Sequence, residues 1–197
     1  MHKKILAAAA LLGSMTGAMA QSSGEGPWLL RGRAVHLDSV DKDSTGLGLS
    51  INNKTLGEFD VTYFMSKNVA AELVLTTPIK QRVYASGTEI GSFKHLPPSL
   101  LLQYHFTDLP GYRPYLGAGI NYTDITKVSL STGHTLDSHS WGGALQVGVD
   151  IALDRNWSLN LDAKKLYIQT DVYSGGVSVG KLKLAPVLYG VGLGYRF

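Results

Sequence analysis

Asp137-Ser138-His139-Ser140 holds the residue types of an acyl-transfer site within four positions. A nucleophile, a base and an orienting carboxylate do that chemistry only in a fixed geometry, which chain order alone does not supply. A stretch rich in Ser, His and Asp is also the ordinary composition of a solvated loop. His36, His95, His105, His134 and His139 are dispersed, and no carboxylate–histidine spacing resembles a zinc site. With no cysteine, the chain has no thiolate ligand, no thiol nucleophile and no disulfide. Gly190, Gly192 and Gly194 alternate but open no helix, so they form no phosphate loop. These residues argue against an enzyme, and nothing in them calls for a metal or a cofactor.

A more demanding set of residues sits elsewhere. Arg31, Arg33, Glu58, Asp60, Glu72, Asp150, Asp162 and Lys164 are full charges in the middle of segments that otherwise alternate apolar and polar. From Ala144 to Ile151, Leu145, Val147, Val149 and Ile151 fall on one face, with Gln146 and Asp150 on the other. Trp157 to Lys164 and Val187 to Phe197 follow the same rule. Trp28 to His36, Leu56 to Phe64, Ala71 to Thr77, Leu100 to Phe106 and Arg113 to Tyr122 follow it less cleanly. Period-two alternation over about ten residues predicts strands, and no amphipathic helix is evident after residue 20.

The eight predicted strands are joined alternately by short and long connectors. Residues 66–68, 107–112 and 153–156 are short, whereas 37–55, 78–98, 123–140 and 168–185 are long. That asymmetry predicts an all-β fold: an eight-stranded antiparallel transmembrane up-and-down β-barrel with short periplasmic turns and long extracellular loops. A soluble sandwich or lipocalin-like barrel also alternates, but it places charge outside and apolar groups inside. Here one face is nearly free of charge over its central span, as a lipid-facing surface must be. Aromatics gather at segment ends. Trp28, Tyr63, Phe106, Trp157 and Tyr195 lie near the short turns, and Tyr122, Trp141 and Tyr167 near the long loops. Two such belts mark the two membrane interfaces.

Residues 1–20 read as a cleaved signal peptide. Met1 to Lys4 is basic, Ile5 to Leu12 is apolar, and Ala18-Met19-Ala20 suits signal peptidase, leaving 21–197 as the barrel. The apolar stretch is too short to anchor the chain in a membrane. Removing Lys3 and Lys4 from the 18 basic residues leaves 16 against 15 acidic ones, which removes the main support for nucleic-acid binding.

The sequence resembles the OmpW family of small outer-membrane proteins. The resemblance is carried by His95-Leu96-Pro97-Pro98-Ser99-Leu100 and by Arg113-Pro114-Tyr115-Leu116-Gly117-Ala118-Gly119-Ile120-Asn121-Tyr122-Thr123. Thr76-Thr77-Pro78, Trp141-Gly142 through Asp150, and Gly194-Tyr195-Arg196-Phe197 support it. It implies residence in the outer membrane of a Gram-negative bacterium and an apolar pocket open to the outside. It also implies passive uptake of small hydrophobic molecules with lateral release. Phe197 resembles the signal that the barrel-assembly machinery reads. At Lys164-Lys165 the chain departs from the pattern, because some family members carry aromatics there. Lys164 points inward by parity, so it narrows or charges the pocket floor.

An eight-stranded lumen is just wide enough to be filled by side chains, so the inward residues decide function. Arg31, Arg33, Glu58, Asp60, Glu72, Asp150, Asp162 and Lys164 are expected as an ion-paired plug rather than the wall of a wide pore. Val35, Val74, Leu101 and Tyr115 are expected nearer the long loops, either as a hydrophobic pocket or as simple packing. Pro78 and Pro97-Pro98 flank one loop and lack N–H donors, which makes them candidates for a lateral gate between strands three and four. Two functions stay open. One is a narrow channel for small hydrophobic molecules. The other is a stress-related structural or receptor protein whose loops meet bacteriocin, phage or lipopolysaccharide. Expected partners are the lipid bilayer, lipopolysaccharide, the assembly machinery and small hydrophobic molecules, with the chain acting as a monomer.

Overall fold

A computed structural model describes residues 26–38, 41–43, 49–77, 79–130, 134–136, 139–174 and 177–197. The expected signal peptide, Pro78, Asp137 and Ser138 lie outside the described residues. Eight strands form the wall: β1 (Trp28–Asp38), β2 (Lys54–Phe64), β3 (Val69–Thr76), β4 (Ser99–His105), β5 (Tyr112–Leu130), β6 (His139–Ala152), β7 (Trp157–Leu166) and β8 (Val187–Arg196). Each pairs antiparallel with its chain neighbours, and β1 pairs with β8 to close the ring. Closure leaves no open edge, which is what lets strands stand in lipid.

The alternation decides the two faces. In β1 the burial runs strictly every second residue from Leu29 to Leu37, and in β4 from Ser99 to His105. The opposite face of β4 presents Leu100, Leu102 and Tyr104, each about half exposed. Leu116, Ile120, Leu145, Val147, Val191 and Leu193 are exposed in the same way on β5, β6 and β8. A water-soluble barrel would not leave such a band bare; here the solvent for it is lipid.

The connections beyond the wall differ from the expected loops. Ile79–Ala85 and Thr88–Leu96 form a hairpin whose second strand continues the sheet against the upper part of β5. Its two-residue turn, Ser86-Gly87, has positive φ at both positions (47° and 83°), the geometry that suits a twisted hairpin. Ile168–Ser174 and Val177–Leu184 make a second hairpin, flanked by the short strands Asp41–Asp43 and His134–Leu136. Pairing between these segments meets their backbone hydrogen bonds, with register shifts at Val83/Tyr84 and Val172/Tyr173.

The periplasmic end is tied by the seam of β1 and β8. Phe197 N donates to Trp28 O at 2.9 Å, and Trp28 N donates back to Phe197 O at 3.2 Å. In the β6–β7 turn, Asp154 Oδ1 accepts from Asn156 N at 2.8 Å and from Trp157 N at 2.7 Å. The Trp157 N–H first, then that of Asn156, hold its carboxyl below the usual carboxylate range.

Deleting Phe197 removes both seam bonds, and we expect less heat-modifiable barrel in the outer membrane; normal folded yield would contradict this. Because the folded Asp154 carboxyl is depressed, its stabilisation is complete above the unfolded value and is lost as pH falls through the folded one. An Asp154→Ala barrel is therefore expected to be less stable than the parent at neutral pH and equal to it in strong acid, read from unfolding curves at both pH values.

Candidate functional site

The inner face of the short-turn half is an ionic layer. Its centre is the pair Arg31 and Arg33, two residues apart on β1 and so on the same side of the wall. Arg31 holds Asp150 with two bonds, Nε to Oδ1 at 3.1 Å and Nη2 to Oδ2 at 2.6 Å. Its Nη1 reaches Thr62 Oγ1 at 3.0 Å, with Asp60 and Glu72 each 3.3 Å away. Arg33 donates from Nη1 to Glu58 at 2.7 Å and from Nη2 to Glu72 at 2.9 Å, and its Nη2 lies 2.6 Å from Asp60 Oδ2. Lys164 crosses from β7 to Glu58 at 2.9 Å, with Asp162 at 3.7 Å. All eight charged residues expected in the plug are buried. Ions this dry persist only when paired, and removing one partner of such a pair costs about 3–5 kcal/mol.

Uncharged side chains extend the layer. Tyr115 OH donates to Asp162 Oδ2 at 2.7 Å, and Gln146 Nε2 donates to the same oxygen at 2.8 Å. Asn160 Nδ2 joins Tyr115 OH at 3.1 Å to Asp150 Oδ1 at 2.8 Å. Gln103 Nε2 donates to Gln146 Oε1, and His105 shares a hydrogen bond with Gln103 at 3.0 Å. The His105 ring stacks on Tyr115 with centroids 5.0 Å apart. A Cβ at Gly148 would meet the Tyr115 ring, so glycine is what lets tyrosine lie there. On β8, a Cβ at Gly192 would meet the Gly32 carbonyl and the Arg33 stem, and one at Gly194 would meet Ser158 before Leu29 and Arg31, while one at Gly190 would stand 3.3 Å from the Arg33 stem.

Tyr115 corrects one expectation. The sequence pattern groups it with the apolar mouth, yet it lies in the ionic layer. Its inward parity holds, but β5 begins at Tyr112, directly after a short turn, so Tyr115 sits low in the barrel. His105 also belongs to this layer: parity puts it on the same face as Gln103 and Leu101, but no metal or catalytic spacing in the sequence marks it.

Above the ions lies an apolar layer. Val35, Val74 and Leu101 are each at most 2% exposed and pack with Leu37, Leu56, Ala144, Leu166, Ile168 and Leu188. Val83 of the first outer hairpin inserts into this cluster, with Ala85 and Ile90 against it. Below the ions, Leu29, Phe64 and Ala70 form a small apolar base, and the Arg196 guanidinium stands 3.9 Å from the Phe64 ring centroid.

Among the described residues, the proline segment pairs with only one of its two neighbouring wall strands. Between β3 and β4 the register ends at Val74 opposite Ser99. Toward β5 the chain stays tied: Tyr122 N donates to Pro98 O at 3.0 Å, and Asn121 Nδ2 reaches Pro97 O and Pro98 O. Among the described residues, the segment at Pro97-Pro98 is therefore bonded to β5 and has no ladder pair with β3. A proline carbonyl still accepts, and β5 supplies the donors.

The expected girdle residues stand at the rims. Trp28 packs on Tyr63 at 4.7 Å and Trp157 on Tyr195 at 4.9 Å at the short-turn end, where Phe106 lies against Tyr104 at 5.1 Å. Tyr122 packs on Trp141 at 4.9 Å at the other end.

The OmpW family model matches residues 31–197. An uncharacterized outer-membrane protein, y4mB of Sinorhizobium fredii, is 40% identical over 188 residues, 89% of this chain and 82% of that protein. Outer membrane protein W of Escherichia coli is 34% identical over 164 residues, 76% of each chain. The dibenzothiophene metabolism operon protein PahQ of Pseudomonas aeruginosa is 31% identical, over 71% of this chain and 70% of that one. Among solved structures, the outer-membrane protein OprG of Pseudomonas aeruginosa aligns with a TM-score of 0.74 and 27% identity, covering 88% of this chain and 97% of OprG. With a closed eight-stranded wall, lipid-exposed apolar band and family match over nearly all the described chain, this protein belongs to the OmpW family of outer-membrane β-barrels.

Proposed function

We propose that this barrel admits small hydrophobic molecules from outside the cell and releases them sideways into the membrane. The observation that carries the reading is the stacking of two layers of opposite character. An apolar layer around Val35, Val74 and Leu101 rests directly on a buried ionic floor. A greasy molecule entering from above gains by displacing Val83 and Ile90 of the covering hairpin and sitting on that layer. It cannot go on toward the periplasm without separating Arg33, Glu58 and Lys164, and stripping such groups of their partners is expensive.

The cheaper exit is lateral. Among the described residues the β3–β4 pairing stops at Val74 and Ser99, so above that point the wall opens without breaking strand bonds. Pro97 and Pro98 are part of this exit, and Pro78 belongs to it on the sequence reading alone. The name of PahQ, which ties that relative to dibenzothiophene metabolism, favours an apolar aromatic cargo. On this reading the chain works as a monomer without catalysis or cofactor. The assembly machinery inserts it through the strand that ends at Phe197.

Two outcomes test the reading. Cells carrying the protein should take up a labelled apolar aromatic compound faster than cells without it, while uptake of a small sugar stays the same. Leu75→Cys with Pro98→Cys, the next positions beyond the last paired residues, should block that uptake when oxidised and restore it when reduced; a disulfide needs Cα atoms about 5.5 Å apart. Uptake that persists in the oxidised, folded double variant rejects lateral exit between β3 and β4.

A further inference from the structure

Lys165 is the only lysine or arginine that the wall turns toward lipid between its two belts, among the described residues. It shares its face of β7 with Trp157, Leu159, Leu161 and Ala163, while Lys164 beside it points into the ionic layer. Eight residues above Trp157, along a tilted strand, place it roughly 20 Å above the lower belt. That height is just beneath Tyr167, Tyr122 and Trp141, at the outer-leaflet side of the membrane. A lysine facing lipid is tolerated there if its ammonium reaches the interface, and this one stands 5.5 Å from the Tyr167 ring centroid. Among the described residues no carboxylate lies within ion-pair distance of it.

Directly below the ammonium the wall is hollow. Ala163 is small, and Leu116, Leu145, Val147 and Val187 stand around it. This depression is shallow and wide open on the lipid side, with a volume of about 500 Å³ and a surface that is almost wholly apolar. Leu145 and Val187 are the direct cross-strand neighbours of Lys165, so the charge sits at the head of the groove.

We propose that this groove with Lys165 is a binding site for lipid A, the phosphorylated acyl glycolipid of the outer leaflet. One acyl chain lies in the hollow over Ala163, and a phosphate at the sugar end meets the Lys165 ammonium. Charge complementarity selects the occupant. A neutral lipid leaves the lysine unpaired, and an inner-leaflet phospholipid presents its phosphate at the opposite belt. The site is separate from the inward layers, so it needs only a barrel standing in the outer membrane and not the uptake reading.

The test is titration of the folded, delipidated barrel with purified lipid A, read by native mass spectrometry. Lys165→Gln should weaken binding about five-fold, the effect of one basic group at an anionic lipid surface. Lys165→Arg should keep it, and Ala163→Phe should weaken it by filling the hollow. Lys67→Gln, a turn lysine at the other end with its side chain 73% exposed, should change nothing. Dephosphorylated lipid A should bind the parent as weakly as intact lipid A binds the glutamine variant. Equal binding by the parent and the Lys165→Gln barrel, or phosphatidylglycerol binding as tightly as lipid A, overturns the proposal. Heat-modifiable migration of each variant shows that any loss is not unfolding.

Discussion

The interaction on which the rest depends is the sharing of Arg31 and Arg33 among the carboxylates of four other strands. Eight strands enclose a space that side chains fill, so a charge pointing inward finds little water. Each guanidinium offers five donors in a fixed fork, which lets one arginine satisfy several acceptors at once. Arg31 reaches from β1 to β2, β3 and β6, and Arg33 to β2, β3 and β7. The network therefore ties strands that are not neighbours across the lumen, which the backbone ladder cannot do. Much of the local composition follows from it. The glycines of β8 leave room for the arginine stems, Gly148 leaves room for Tyr115, and Lys164 supplies a third cation where Glu58 would otherwise depend on Arg33 alone.

The same constraint gives the barrel its direction. Charge is confined to the lower interior and the main apolar layer lies above it, with Val83 brought in from outside as a cover and only the small Leu29, Phe64 and Ala70 base beneath. The exterior has the reverse logic to a soluble protein: its widest apolar band is exposed, because lipid rather than water surrounds it. A molecule soluble in lipid meets compatible surface at the mouth and at the wall, and incompatible surface only along the axis downward. The functional reading follows from that polarity more than from any single residue.

Much of this was legible in the order of the residues. Period-two alternation located all eight wall strands, because lipid and a dry lumen impose opposite requirements on successive residues. It also gave the inward parity of every ionic residue, of Tyr115 and of His105. Height along the barrel was harder. Parity alone does not separate Tyr115 from the apolar layer, because it carries no information on depth, which depends on where the short turn ends. The outer hairpins look like loops in the sequence, since Gly, Ser and Thr between Ile79 and Leu96 dilute the alternation that pairs Gln81 with Phe93 and Lys80 with Lys94. The role of the prolines was half visible: loss of a donor is written in the residue type, but Asn121 and Tyr122 compensating on the β5 side is a matter of register. Lys164 and Lys165, adjacent in the chain, serve opposite faces, and only the strand assignment separates a plug residue from a lipid-facing one.

The central claim is that the paired ions close the axis of the barrel. Its most direct test is the ion current through purified, folded protein in a planar lipid bilayer at neutral pH. A closed ionic floor predicts insertion events with little or no steady conductance, rising when Arg31 and Arg33 are both replaced by serine. Steady conductance of the unmodified barrel at the level of a general porin would contradict it, because a water-filled axis would then run through the layer of paired, buried ions.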